Sequence, residues 1–307
     1  MSQAALRTSV LPPNVAIKSK PDHSGGFVSP GASSLGAVFI SDGALGDIFV
    51  FNDAGKPEAI IAGLSQPQGL GTDLYGDVYV ANTNLSQILE YGPNYKTVKK
   101  TLSDPGQYPV DVKYDAQTGV VGVTNIISTS GGPGSVSFYA KNATTPCVTV
   151  SSKTWARIYF GAFDASGNFF IDGEASSGAV LVGVVEGGCS AFGIVTLTTG
   201  NTINFPGGVQ VTPSNQIAIA DQLGDIIFTY NHPVGNALGN PVDVTPLSSS
   251  GDPVQFSLSR GAGSLWTADA ELASAIKYSY PAGGSATMTI KGLLQPIGAA
   301  INPLLVP

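Results

Sequence analysis

The sequence predicts an all-β protein: a six-bladed β-propeller of four-stranded antiparallel blades, its ring closed by the C-terminal strand completing the N-terminal blade. Three observations lead there. A turn-and-strand unit recurs six times along the chain, its strands are apolar on both faces, and the first strand missing from the first copy reappears near the far end.

Composition sets the class. Of 307 residues, 39 are Gly and 21 are Pro, which punctuate many short strands rather than long helices. Hydrophobic residues make up 43% and charged residues 11%, against about 25% charged in an average soluble domain. Core material is ample and the surface is weakly charged. No stretch has the length and apolarity of a membrane span. Net charge is −7, and the 14 Lys and Arg are scattered. Nothing in the chain supplies the basic face that tracks a phosphate backbone, which excludes nucleic-acid binding.

Residues 1–36, with Pro12-Pro13, Pro21 and a Gly/Ser-rich 24–36, read as a tail or linker, and the propeller is expected over 37–307. The unit is fullest at QPQGLGTDLYGDVYVANTNLSQILEYGP, residues 66–93. A Pro-led first strand leads to an Asp-x-x-Gly turn and an apolar second strand ending at Ala81-Asn82. A polar loop follows, then a third strand through Ile88, Leu89 and Tyr91, and a fourth at TVKKTL, 97–102. The turn and second strand recur as LGAVFISD (35–42), YGDVYVAN (75–82), TGVVGVTN (118–125), SGNFFIDG (166–173), SNQIAIAD (214–221) and AGSLWTAD (262–269). Their polar ends are assigned to Asp42, Asn82, Asn125, Asp172, Asp221 and Asp269, roughly 40 to 49 residues apart. The third strand recurs as GDIFVFN, SQILEYG, GSVSFYA, GAVLVGV, GDIIFTY and SAIKYSY.

Runs such as Phe169-Phe170-Ile171 and Ile226-Ile227-Phe228 are apolar at consecutive positions, so both faces of each sheet are expected to be buried. Blades sandwiched between blades give that pattern. The Pro-led strand begins at Pro67, Pro109, Pro206 and Pro253, and in degraded form near Ile158. None precedes the copy at 35–42. QPIGAAINP at 295–303 supplies the missing strand and removes an exposed edge.

The pattern Pro-x-Gly-Leu/Val, Asp-x-x-Gly-Asp/Asn-Val-Tyr-Val-Ala-Asn/Asp and Ile-x-x-Tyr resembles the NHL and SMP-30/gluconolactonase group of six-bladed propellers, over residues 37–303. The resemblance implies a fold more than an activity, because this architecture hosts lactonases, lyases and binding modules. SMP-30-like hydrolases place an acidic metal ligand on one first strand and an Asn in a Pro-Asn-Gly segment. Here Gln68 stands in Pro67-Gln68-Gly69, and Pro296-Ile297-Gly298 carries no carboxylate.

An antiparallel meander brings the polar strand ends to one face, around the channel mouth. Asp42, Asp172, Asp221 and Asp269, with Asp111, are the candidate ligands of a hard cation such as Ca²⁺. The competing reading makes the strand ends caps of the turns that follow, through backbone N–H groups. No cofactor is predicted on that reading, and six copies favour it.

Departures from the repeat mark a site better. Where the repeat has Gly69, Gly208 and Gly298, other copies carry Asp111 and Gln255, and the fourth has Tyr159 and Phe160 after Arg157. Asp111, Arg157, Gln68 and Gln255 are therefore the candidate ligand-binding residues at the mouth, with Asp111 and Arg157 either binding a ligand or pairing with each other. Glu174 and Glu271 read as solvated loop residues, Trp155 and Trp266 as packing residues. His23 and His232 lie away from the channel, and no Gly-x-Ser-x-Gly or phosphate loop occurs. Cys147 and Cys189 begin the outermost strands of consecutive blades, which leaves two readings, an inter-blade disulfide or two inert thiols.

The expected function is that of a non-enzymatic propeller: an exported, monomeric binding or scaffold module for a protein or small-molecule ligand. MSQAALRTSV has no apolar stretch long enough for a secretory signal. That leaves a cytoplasmic protein or one whose signal segment lies outside this chain; the second reading, secreted, periplasmic or at the cell surface, is the expectation. The alternative is a calcium-dependent, lactonase-like hydrolase with its site at the channel mouth.

Overall fold

The computed structural model describes residues 36–302 together with a two-residue strand at Phe27–Val28. Six sheets form the ring of a six-bladed β-propeller. Blade one contains β1 (Phe27–Val28), β2 (Val38–Asp42), β3 (Asp47–Phe51) and β4 (Pro57–Ile61). Blade two is β5 (Pro67–Thr72), β6 (Val78–Asn82), β7 (Gln87–Tyr91) and β8 (Val98–Ser103). Blade three is β9 (Gln107–Tyr114), β10 (Val121–Ser128), β11 (Ser135–Tyr139) and β12 (Val148–Ser151). Blade four is β13 (Arg157–Phe163), β14 (Phe169–Glu174), β15 (Val180–Val185) and β16 (Val195–Thr199). Blade five is β17 (Pro206–Val211), β18 (Ile217–Asp221), β19 (Ile226–Tyr230) and β21 (Asp243–Pro246), with β20 (Ala237–Gly239) projecting from it to pair parallel with β16. Blade six is β22 (Pro253–Leu258), β23 (Ser264–Asp269), β24 (Ser274–Ser279) and β25 (Met288–Lys291).

Closure is by β26 (Pro296–Ile301), which pairs antiparallel with β2 and gives blade one its first strand. Two strands were not expected. β1 lies inside the segment read as a tail and adds to the outer edge of blade one, Phe27 opposite Ile60. β20 is an excursion of the third-to-fourth connection of blade five and covers the edge of blade four. Among the described residues no helix is long and apolar enough to cross a membrane.

Each first strand abuts the first strand of the next blade around the axis. All six make the same irregularity against their second strands: the register shifts between Pro67 and Leu70, Ile158 and Gly161, Pro206 and Val209, and Pro253 and Phe256, and at the matching places of blades one and three. A bulge bends the strand and re-aims its side chains. Crowding explains the recurrent glycine there: a Cβ on Gly298 would stand 2.3 Å from the Gln68 carbonyl oxygen, and one on Gly69 2.5 Å from that of Val110.

Apolar side chains fill the spaces between blades. Phe138 packs against Phe163 and Phe169 across the junction of blades three and four, and Phe39 meets Tyr95 edge-on between blades one and two. Trp155 and Trp266 are fully buried, as packing residues should be.

Candidate functional site

The bulge fixes which residue of each second strand faces the axis and which reaches the upper face, the face on which second strands end. Pairing of Pro67 with Asn82, Pro109 with Asn125, Pro206 with Asp221, Pro253 with Asp269 and Pro296 with Asp42 defines five equivalent strand ends. In blade four the equivalent pair is Ile158 with Gly173. Asp172 is therefore not a strand end but the residue before it, in the place of Ser41 and Thr124. A side chain at Gly173 is barred, because its Cβ would lie 2.1 Å from the Arg157 carbonyl oxygen.

The strand-end carboxylates hold loops. Asp42 accepts from the backbone N–H groups of Ala44, Leu45, Leu294 and Gln295, at 2.6 to 3.2 Å. Asp221 accepts from Asn204, Phe205 and Gly224, and Asp269 from Ser250, Gly251, Asp252 and Leu272. Each thus ties its own turn to the loop arriving from the preceding blade. Asn82 holds only the arriving loop, accepting from Ser65 N–H at 2.7 Å. Lone pairs committed to N–H donors in separate blades do not form the converging oxygen shell that Ca²⁺ takes. Among the described residues no three His, Cys, Asp or Glu side chains are grouped to hold a metal ion. The donor set does not fit the calcium expectation for Asp42, Asp111, Asp172, Asp221 and Asp269.

Deeper in the channel, two side chains close the axis. The free edges of the six first strands turn N–H and C=O groups inward, and these need partners. Asp111 Oδ1 accepts from its neighbour Val112 N–H at 2.8 Å, from Lys113 Nζ at 2.8 Å and from Gln255 Nε2 at 2.6 Å; Oδ2 accepts from Gly161 N–H at 3.1 Å. Gln255 Oε1 accepts from Leu70 N–H at 3.1 Å and Ala299 N–H at 2.8 Å. Blades three and six stand on opposite sides of the ring, so the Asp111–Gln255 bond crosses the axis. Both residues are buried, and the two side chains serve backbone amides from four blades.

Charge in this plug is compensated. Burial pushes the Asp111 carboxyl up and the Lys113 ammonium down, and their mutual attraction pulls both back. Nearby Asp172 accepts from Phe160 N–H at 2.9 Å through Oδ1, while its buried Oδ2 has no hydrogen-bond partner. Burial holds its carboxyl well above the usual carboxylate range, and the Asp111 charge adds to that.

Three expectations need correction. Arg157 does not reach Asp111; it lies half-exposed at the start of β13 and pairs with Glu174 at 3.2 Å. Asp111 pairs with Lys113 instead, two residues along the same strand and hence on the same face. Strand alternation was the signal that would have found it. Glu174 is not a solvated loop residue but the last of β14, mostly buried, and it also accepts from the Tyr159 hydroxyl at 2.7 Å. Gln68 sits at the channel wall, fully buried, with neither amide atom hydrogen-bonded. His232 pairs with Asp164 at 2.8 Å, away from the plug. Cys147 and Cys189 form a disulfide between blades three and four.

No family model matches the sequence, and no curated protein is similar to it in sequence. Solved structures are similar in fold. A chain of the hydrazine synthase of Kuenenia stuttgartiensis aligns with a TM-score of 0.64 at 12% identity, over 93% of this chain and 92% of that one. A chain of a nidogen/laminin complex aligns with a TM-score of 0.67 at 13% identity, over 87% and 98%. Streptogramin B lyase aligns with a TM-score of 0.52 at 11% identity, over 85% and 75%. At such identities the likeness is one of fold.

Proposed function

We propose that this propeller is a non-catalytic, exported binding module that engages a polypeptide partner through its upper face. The observation that carries this reading is the employment of Asp111, Gln255 and the strand-end carboxylates within the fold. These take backbone donors and hold the loops in place. What those loops turn outward is Leu85, Leu223, Leu272 and Leu294, all exposed. In the upper loops 83–86, 222–225, 270–273 and 292–295, which carry these leucines, the charged residues are Asp225 and Glu271. A sparsely charged rim with fixed aliphatic anchors suits a protein interface, whose centre is depleted of charge. The Cys147–Cys189 disulfide supports an oxidising compartment. The Pro-x-Gly and Tyr-Val-Ala-Asn segments support a place among NHL and SMP-30-like propellers.

The test has two arms. Hydrolysis of a γ-lactone and an aryl ester is measured with CaCl₂ and with EDTA, alongside thermal unfolding in both; no calcium-dependent turnover and no shift in Tm are expected. A calcium-dependent hydrolysis lost in Asp221→Asn would replace the binding reading with the hydrolase. In the second arm, partners captured from the native extracellular fraction are expected to be lost with a Leu272→Arg/Leu294→Arg variant that keeps its fold.

A further inference from the structure

The charged residues of this weakly charged chain are not evenly spread. Between blades two and three, on the face opposite the leucine rim, lies a cleft of about 280 Å³. Six of its lining residues are charged: Asp73, Asp77, Glu90, Lys99, Lys100 and Lys141. The whole protein has 35 such residues, 14 basic and 21 acidic, so their gathering here needs a reason.

Glu90 is the sharpest departure. By strand register it occupies the place held in the other blades by Val50, Phe138, Val184, Thr229 and Lys277. It is only 2% exposed. Lys99 pairs with its Oε1 at 2.9 Å, and Lys100 stands 3.2 Å from Oε2. That second contact is an ion pair of poor hydrogen-bond geometry, so the buried Oε2 is balanced in charge by Lys100 but keeps acceptor capacity. Burying carboxylates is costly, and packing alone gives no return for it.

The rest of the cleft is equally specific. Tyr79 and Tyr114, one from each blade, stack with centroids 6.0 Å apart. Tyr75 stands at the lip, 67% exposed. On the opposite wall the stem of Lys141 lies over Gly119, which has φ +76 and where a Cβ would come within 3.0 Å of it. Lys141 makes no ion pair with any described residue. Three carboxylates face three ammonium groups, so the lining is neutral in sum.

We infer that this cleft binds a neutral saccharide unit, with ring hydroxyls donating to Glu90 and Asp73, a hydroxyl accepting from Lys141, and an apolar ring face laid on tyrosine. A lining with acceptors on one wall, an unpaired donor on the other and no net charge matches a ligand that carries donors and acceptors together and is itself uncharged. Aromatic faces between them match the C–H faces of a pyranose. The volume, near the low end for small-molecule sites, limits the bound unit to about one ring. This inference is independent of the upper-face reading, since none of the leucines of the rim lies here.

The test is ligand-observed and protein-observed NMR titration of the intact protein with D-glucose and D-galactose, with choline and D-glucuronate as charged comparators. Neutral hexose binding on the order of millimolar Kd is expected, with shifts confined to residues of the cleft. Tyr75→Ala and Lys141→Met, both at exposed positions, are each expected to weaken it about fivefold, the loss of one net hydrogen bond or ring contact. Binding of choline or glucuronate without the hexoses, no saturable hexose binding, or hexose binding unchanged in both variants would overturn the assignment. Leu272→Arg/Leu294→Arg should leave hexose binding intact, which separates this site from the rim.

Discussion

At the junction of blades two and three a carboxylate has changed sides. In blades one, five and six the strand-end Asp reaches over to the incoming loop. In blade three the strand end is Asn125, and the acid is Asp104 in the loop itself, accepting from the Ser137 hydroxyl at 2.8 Å. Asn125 Nδ2 donates to Ser135 and Ser137. Without a set of backbone donors, Asp104 is pushed up to about 6 by burial, with Ser137 and Asn125 opposing. A folded-state pKa above the unfolded value of about 3.8 means the native state holds the proton more tightly. The contribution is therefore fully present below about pH 4 and lost as pH rises through 6, a change of about 3 kcal/mol at 1.36 kcal/mol per unit. Asp104→Asn mimics the protonated form and should remove this slope. Urea unfolding of both proteins between pH 3.5 and 7, a range set by those two values, should show the wild type falling behind the variant as pH rises; parallel curves would remove Asp104 as the cause.

Among elements, the clamp between a turn and the incoming loop sets most of the upper face. Asp42→Ala strands four backbone donors, two of them from the loop leading into the closing strand. Asn82→Ala strands one. Charge-assisted bonds are worth about 1.5–3 kcal/mol each and are not additive, so Asp42→Ala should cost about 3 kcal/mol and Asn82→Ala about 1. Denaturant titration checks the difference. Hydrogen exchange at Leu294 and Gln295 should accelerate only in the first variant. The strands carrying these clamps were legible in sequence because turn, apolar run and polar end recur together at one period. Blade four was misread by one residue, because β14 runs on to Glu174 and its strand end is a glycine. A one-residue slip in a strand exchanges faces, so Asp172 moved from the rim to the axis. The plug was half legible: Asp111 and Gln255 stood out against glycine, but that they meet across the ring depends on the diameter, which no local pattern records. The cleft was not legible, since its residues are unremarkable until two blades are set side by side.

As a whole the ring is held at two kinds of junction. Blade one is completed non-covalently by β26, while blades three and four share the Cys147–Cys189 bond across 42 residues of chain. Closing a loop of that length in the unfolded chain is worth about 4 kcal/mol on the chain-entropy account, with native strain reducing it. Cys147→Ser/Cys189→Ser should lower the unfolding free energy by about 2–4 kcal/mol without altering the blades. Equal stability of the two proteins under non-reducing conditions would show that the bond constrains nothing the fold had not already fixed.

The closing strand also decides how the ring responds to force. Val38, which opens β2, is paired with Ile301, at the end of β26, while Pro296 meets Asp42 at the other end. Val38 and Ile301 therefore stand side by side at the same edge of one ladder, the chain before Val38 being held further out by β1 on β4. Tension applied through both flanks would not shear that ladder but peel it, loading its hydrogen bonds one pair after another from Val38–Ile301 upward. Peeling needs little force compared with breaking all pairs together. As a link in a pulled tether the chain would first shed the two-residue β1 pairing with β4 and then open the ring at this seam, whatever its stability to heat or denaturant.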